Sequence, residues 1–178
     1  MTWTSYRNRG ETLRRVAAAA DARRDGLVPR DVPGFDEAFA DDADLLGALL
    51  LRWHTRLAGR VERELLAEPH DLPGSVVRAW QLTAEEEPGV LAILDHHREL
   101  AARGELSPEL TSALGKASAK ERSLLALMAG LASGQGPATV AVGARLEQQA
   151  RETAPRHARE EQIVRLSLID RLKAALAA

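Results

Sequence analysis

The sequence predicts an all-α protein, an antiparallel helical bundle of about six to seven helices. Three observations lead to this fold class. Alanine and leucine together supply 59 of the 178 residues, whereas valine, isoleucine and threonine are few, a balance that favours helix over strand. Apolar residues recur every three or four positions over long segments, and glycine and proline punctuate these segments. No strand-like alternation continues for more than a few residues.

The punctuation divides the chain into seven helical segments. Acidic or hydroxyl residues stand where helices are expected to begin, because their side chains cap free backbone N–H groups there. Asp71, followed by Pro73, and Ser107, followed by Pro108, are two such starts. The residues from 27 to 35 are predicted to be irregular. The predicted helices cover residues 5 or 11 to 25, 41 or 42 to 67, 71–86, 89–103, 107–132, 138–153 and 156–177.

Two of these segments carry the clearest apolar stripes. The second places apolar side chains at helical spacing, as a helix that faces a core should. The fifth alternates by four and three, which is typical of a coiled-coil seam. Short connections between such helices favour antiparallel neighbours. The stripes are Leu46, Leu50, Trp53, Leu57, Val61 and Leu65 in the second helix, and Leu110, Leu114, Ala117, Glu121, Leu124, Met128 and Leu131 in the fifth.

Composition excludes several classes of function. The net charge is −2 and the isoelectric point is near 6.2, so nucleic acid is an unlikely partner. The absence of cysteine excludes disulfide scaffolds, thiol catalysis and iron–sulfur clusters. No apolar run approaches the roughly 20 residues that span a bilayer. We therefore expect a cytoplasmic protein without a membrane segment. The excess of arginine over lysine, 21 to 3, suggests a bacterial source with a GC-rich genome.

Domain organisation is expected to be simple. The length fits a single helical domain covering residues 1–178. The clearest break is the Gly- and Pro-containing stretch 133–137, so residues 136–178 are a candidate C-terminal arm or hairpin. The last predicted helix is unusually apolar, and it is expected either to dock on the bundle or to supply a contact in a homodimer.

Two short motifs suggest catalysis but stand in the wrong context. Asp95-His96-His97 resembles the tripeptide of the DHH phosphoesterases, which are α/β proteins with further acidic ligands on strands, whereas here the tripeptide lies inside a predicted helix. His70-Asp71 resembles the metal-binding pair of HD-domain phosphohydrolases. That pair lies within a helix, whereas here Pro69 and Pro73 bracket the residues in a turn. Asp71 is better explained as a helix cap.

Ionisable residues on apolar faces give a first candidate site. His54 flanks the stripe of the second helix, His97 lies on the inner face of the fourth, and Glu121 occupies a seam position of the fifth. Buried ionisable groups need partners, so the three side chains are expected either to converge on a divalent metal or to be satisfied structurally. A hydrogen bond between His97 and Glu121 would provide the second outcome.

Arginine segregation gives a second candidate site. Residues 1–30 carry a net charge of +4, residues 31–51 carry six acids and no base, and the long helix then presents arginines four residues apart. Like charges at this spacing repel one another. The compensating charges are either internal or external. Internally they would be the acidic segment 31–44, Glu62 and Glu64, or Glu85 to Glu87; externally they would lie on an acidic protein surface, a phosphate-bearing ligand or a nucleic-acid backbone. The predicted partner-binding residues are Arg52, Arg56, Arg60, Arg14 and Arg15.

These patterns favour a non-enzymatic interaction or regulatory protein that uses its arginine-rich helix face. Its expected partner is another protein or a second copy of the chain. The alternative is a metal-dependent bundle enzyme, a hydrolase or an oxidoreductase, that uses His54, His97 and Glu121. Only the alternative requires a cofactor, which would be a divalent metal.

Overall fold

A computed structural model describes residues 3–153, with residues 3–7 described by their backbone alone. Seven helices and no strand occur in this range, so the predicted all-α bundle is confirmed. The helices are α1 (Trp3–Arg23), α2 (Phe35–Ala38), α3 (Asp42–Ala67), α4 (Leu72–Glu86), α5 (Pro88–Ala102), α6 (Pro108–Met128) and α7 (residues 137–153).

The predicted helix starts are confirmed at three caps. The side chain of Asp41 accepts a hydrogen bond from the Asp44 N–H at the start of α3, at 2.8 Å. Asp71 and Ser107 cap α4 and α6 in the same way. Each cap satisfies one of the N–H groups that a helix leaves free at its first turn. The cap role of Asp71 also confirms that His70-Asp71 lies in a turn between two helices.

α3 and α4 form an antiparallel pair around an aromatic contact. Trp53 and Trp80 meet edge to face, with ring centroids 6.0 Å apart, and both indoles are buried. The stripe of α3 faces this core as predicted, and its members Leu50 and Leu65 are only partly buried. α3 and α4 thus supply the two tryptophans around which the aliphatic core is built.

Two helix crossings are close enough to require glycine. A Cβ atom at Gly89 in α5 would lie 2.0 Å from the backbone of Ala20 in α1. A Cβ atom at Gly143 in α7 would lie 1.8 Å from the carbonyl oxygen of Arg122 in α6. α7 therefore packs directly on α6, and its Leu146 and Ala150 are buried. The described part of the predicted arm, 137–153, packs on the core; residues 154–178, with the last predicted helix, lie outside the described residues.

The structure differs from the predicted elements in two places. The single turn α2 lies where an irregular segment was predicted to be ending, and it buries Phe35. Its four residues are too few to show a helical period in the sequence. α6 ends at Met128, four residues before the predicted end, so Leu131 lies beyond the helix and is exposed. The predicted seam consequently loses its last member.

None of the helices within residues 3–153 combines the length and the hydropathy that a bilayer span requires.

Candidate partner-binding surface

The arginine ladder of α3 pairs with the end of α4. Arg52 contacts both carboxylate oxygens of Glu87: its Nε donates to Oε2 at 3.1 Å, and its Nη2 lies 2.6 Å from Oε1. Arg56 Nε lies 2.5 Å from the same Oε1, and Arg60 pairs with Glu86. Internal compensation, one of the two predicted outcomes, therefore operates along the ladder.

Glu87 holds an unusual position in this cluster. It is the residue between α4 and α5, and only 1% of its side chain is exposed. Two guanidinium groups share its single carboxylate, and Arg56 keeps 46% of its side chain exposed. Since Glu86 adds one more carboxylate for Arg60, the cluster of three arginines and two glutamates carries a net charge of +1. The ladder is thus anchored internally and still presents a positive edge.

The two arginines predicted on α1 form a smaller, more exposed arrangement. Arg14 and Arg15 both pair with Glu11, and Arg15 Nη1 also donates to the carbonyl oxygen of Pro33 at 3.3 Å. About half or more of each arginine side chain is exposed. Surface ion pairs of this kind contribute little stability, so these guanidinium groups can exchange partners readily.

A groove of about 670 Å³ opens between α1 and α3 beside the ladder. Its lining is mostly apolar, and charged groups stand at its two ends: Arg9 with Asp44, and Arg52 with Arg56. The first pair is bidentate, with N–O distances of 2.8 and 2.7 Å, and this interaction lowers the pKa of Asp44. The groove is lined by Arg9, Gly10, Leu13, Ala43, Asp44, Gly47, Ala48, Leu51, Arg52, Thr55 and Arg56.

Two helical glycines lie in the groove. Gly10 is inside α1 and Gly47 inside α3, and a Cβ atom at either position would meet no atom of the described residues within 4 Å. Glycine inside a helix costs about 0.5–1 kcal/mol relative to alanine. At Gly89 and Gly143 close packing explains that cost. At Gly10 and Gly47 the glycines instead widen the open space of the groove.

Leu51 forms an apolar ridge along the groove. It is 68% exposed although it lies in the middle of α3. On its other side is a hollow of about 150 Å³, lined by Leu50, Leu51, His54, Ala117, Lys120 and Glu121. Leu51 is thus an apolar side chain whose full burial would contribute about 1.5–3 kcal/mol.

The three predicted metal ligands are only partly brought together. His54 and Glu121 line the same small hollow, together with Lys120. His97 is buried as predicted, but its Nδ1 lies 2.8 Å from the carbonyl oxygen of Ile93 and its ring contacts His96 edge to face. Across residues 3–153, no group of three or more His, Asp or Glu is positioned to hold a metal ion. The three-ligand site stays a prediction.

Glu121 is satisfied by neighbours other than His97. Its Oε1 accepts from the Trp80 indole and its Oε2 from Arg98, each at 3.4 Å, and its side chain is 6% exposed. Burial raises the pKa of Glu121, and the attraction of Arg98 and the nearby Trp53 and Trp80 indoles offset this effect only in part. The Trp53 N–H itself makes no well-formed hydrogen bond. The contacts of the Glu121 carboxylate therefore offset only part of the cost of burying its charge.

Asp95 of the DHH-like tripeptide takes part in an ionic seam between α5, α6 and α7. Asp95 accepts two hydrogen bonds from Arg151, at 2.8 and 3.0 Å, and a third from Arg98. Arg151 also reaches Glu147, and its guanidinium lies 4.8 Å from the centre of the Trp80 ring. These contacts fix α7 on the bundle, so Asp95 has a structural role.

No known protein family, curated protein or solved structure is detectably similar to this chain. Function is therefore inferred from the geometry of the chain itself.

The groove is the feature that sequence reasoning missed. The arginines at its edge were identified because they repeat every four residues. Gly10, Gly47 and Leu51 carried a usable signal, since a glycine inside a helix is costly and needs a reason. The pairing of α1 with α3, which places these residues together, was not readable from the sequence.

Proposed function

We propose that this chain is a non-enzymatic interaction or regulatory protein of the cytoplasm that binds an α-helix of another protein in the groove between α1 and α3. The observation that carries the proposal is the open groove itself. Among the residues that the structure describes, no atom lies within 4 Å of a Cβ position at either of its two helical glycines, and an exposed leucine stands beside them. An amphipathic helix that lays its apolar face into such a groove is a common mode of peptide recognition.

The positive charge at the groove edge indicates which kind of helix would fit. Arg52 and Arg56 share the single carboxylate of Glu87, and Arg56 remains half exposed. Glu86, 3.9 Å from Arg56, also pairs with Arg60, so both carboxylates near Arg56 are shared. A carboxylate on the flank of the docked helix would give Arg56 a partner that it does not share, in a charge-assisted hydrogen bond. The fitting occupant is therefore a helix with an apolar face bordered by aspartate or glutamate.

The groove can be filled without disturbing the bundle. Gly47→Leu places a side chain into open space, and Gly115→Leu does the same on α6, far from the groove lining. Tagged full-length wild type and both variants are incubated with native lysate. We expect one partner that wild type and Gly115→Leu retain and Gly47→Leu loses. A partner retained equally by all three baits would overturn the groove as the docking site.

The arginine edge is tested by a second matched pair. Arg56→Gln removes a half-exposed cation that lines the groove, whereas Arg63→Gln removes an exposed cation of the same helix outside it. We expect Arg56→Gln to weaken binding of the partner about tenfold, which is the effect of losing one hydrogen bond to a charged group. Arg63→Gln should leave it bound. A complex made only of this chain would identify the occupant as a second copy instead.

The metal-enzyme alternative makes a separate prediction. It requires stoichiometric divalent metal in the purified full-length protein, lost in His97→Ala with the fold retained. Elemental analysis of both proteins, with circular dichroism as the check on fold, distinguishes the two functions.

A further inference from the structure

A second hollow, of about 410 Å³, lies between α3, α6 and the start of α7. It does not belong to the groove between α1 and α3, with which it shares no lining residue. Its apolar lining side chains are called the apolar wall and its polar ones the polar wall. The lining residues are His54, Ala119, Lys120, Ser123, Leu124, Leu127, Gln135 and Gly136.

The polar wall offers hydrogen-bond donors and one positive charge. Lys120 contributes an ammonium group, Ser123 a hydroxyl, Gln135 an amide, and His54 an imidazole. No carboxylate occurs among the described residues that line this hollow. Glu121 lines the neighbouring hollow, and its oxygens accept from Trp80 and Arg98. This donor set suits an oxyanion.

The loop before α7 is held in place by a hydrogen bond. α7 begins at residue 137, directly after Gln135 and Gly136, which line the hollow. Thr139, in the first turn, ties the preceding loop to the helix by donating its hydroxyl to the Gly134 carbonyl at 2.6 Å. The loop that carries Gln135 is thus fixed in place.

The apolar wall and the single charge narrow the ligand further. Ala119, Leu124 and Leu127 line more surface than a bare ion would cover, and Leu127 is 37% exposed. One lysine with neutral donors matches one negative charge. We infer that this hollow binds a small organic monocarboxylate with a short aliphatic chain, its carboxylate at Lys120 and Ser123 and its chain against Leu124 and Leu127. A bound carboxylate of this kind would be a regulatory ligand rather than the partner helix.

Hexanoate is the probe, with acetate and inorganic phosphate for comparison. Each is titrated into the full-length protein while the ring resonances of His54, assigned with His54→Gln, are followed by NMR. We expect hexanoate to shift these resonances saturably and to bind about tenfold more tightly than acetate, because only hexanoate covers the leucines. Equal binding of acetate, or tighter binding of phosphate, would overturn the ligand class.

Two lysines of α6 provide a matched control. Lys120 lines the hollow, and Lys116, one turn earlier, is exposed outside it. We expect Lys120→Gln to raise the dissociation constant of hexanoate about tenfold. Lys116→Gln should change it by less than about twofold, since a distant exposed charge is screened. Unchanged binding in Lys120→Gln, or no saturable shift in wild type, would overturn the site.

Discussion

Glycine serves opposite purposes at the crossing of α6 with α7 and in the groove between α1 and α3. Gly143 lets α7 approach the backbone of Arg122, where a Cβ atom would lie 1.8 Å from the carbonyl oxygen. Gly47 borders open space instead, since a Cβ atom there meets no atom of the described part of the chain within 4 Å. In the first region the space is filled by the protein itself. In the second it is left open, and this open space is what a partner helix can fill.

The charges of the two regions differ in the same way. In the ionic seam between α5, α6 and α7, three arginines and three carboxylates balance each other. They are Arg98, Arg122 and Arg151 with Asp95, Glu121 and Glu147. At the groove edge, Arg52, Arg56 and Arg60 outnumber Glu86 and Glu87. The balanced region holds the bundle together, whereas the unbalanced one leaves a net positive charge at the groove edge.

The largest expected effect on stability comes from separating α7 from α6. Gly143→Ala forces α7 away from α6, and overpacking of this severity should lower the free energy of unfolding by about 3 kcal/mol. Gly115→Ala, in open space on α6, should instead raise it by about 0.5–1 kcal/mol. Urea denaturation of both variants checks the pair. Equal stability of the two would show that α7 does not pack closely on α6.

The next effect tests the groove edge. Glu87→Gln removes the buried carboxylate that Arg52 and Arg56 share, and it should lower the free energy of unfolding by about 2 kcal/mol, because Arg56 is only half buried. Glu86→Gln, at a half-exposed carboxylate, should cost less than about 1 kcal/mol. The same denaturation measurement applies. A larger loss of stability in Glu86→Gln than in Glu87→Gln would show that Glu86, and not Glu87, anchors the arginine ladder.

Two carboxylates of the seam should respond to pH with opposite sign. Burial opposes the charged form of Glu147, but hydrogen bonds from Arg122 and Arg151 outweigh it and lower its pKa. Its contribution is therefore present above the unfolded-state pKa and lost as the pH falls through the folded-state value. The pKa of Glu121 is raised by burial, so its cost appears as the pH rises from the unfolded-state pKa through the folded-state value.

Substitution separates the two carboxylates. At pH 7.5 Glu147→Gln should destabilise the fold, whereas Glu121→Gln should stabilise it or leave it unchanged. Denaturation curves at pH 4 and pH 7.5 measure this. If Glu121→Gln is the more damaging at pH 7.5, the carboxylate of Glu121 is better satisfied than its 3.4 Å contacts indicate.

The smallest effect on stability belongs to the groove. Gly47→Ala should raise the free energy of unfolding by about 0.5–1 kcal/mol, because helix propensity improves and nothing is displaced. Thermal unfolding would show a small upward shift in Tm. A loss of stability would mean that Gly47 has a packing role, and the contrast with Gly143 would fail.

The helices were readable from the sequence because their signals are local. The caps at Asp71 and Ser107 and the stripe through Trp53 and Val61 each lie within one segment, and the structure confirms them. The buried positions of His97 and Glu121 were also readable from helical spacing. Their hydrogen-bond partners were not readable, because helical spacing does not show which neighbouring groups lie within reach. In the structure these groups include the Ile93 carbonyl for His97 and the Trp80 indole for Glu121.

The groove depends on contacts that are distant in the chain. Gly10 and Gly47 lie 37 residues apart, and no periodic signal links them. The ladder of Arg52, Arg56 and Arg60 was visible, and Glu85 to Glu87 were among its predicted internal partners. The choice of Glu86 and Glu87 among these partners depends on the antiparallel register of α3 and α4. Residues of one helix were thus predictable together, whereas a surface built from two helices was not.

The most direct test of the docking groove uses the absence of cysteine from the chain. Thr55→Cys places a photo-crosslinker at the groove wall, and Ser112→Cys places one on an exposed position of α6 outside the groove. Each labelled full-length protein is irradiated in native lysate, and the products are identified by mass spectrometry. We predict that the label at position 55 captures one partner through a segment that is amphipathic and acidic at its flank, and that the label at position 112 does not. The same products from both positions, or none from position 55, would contradict the account.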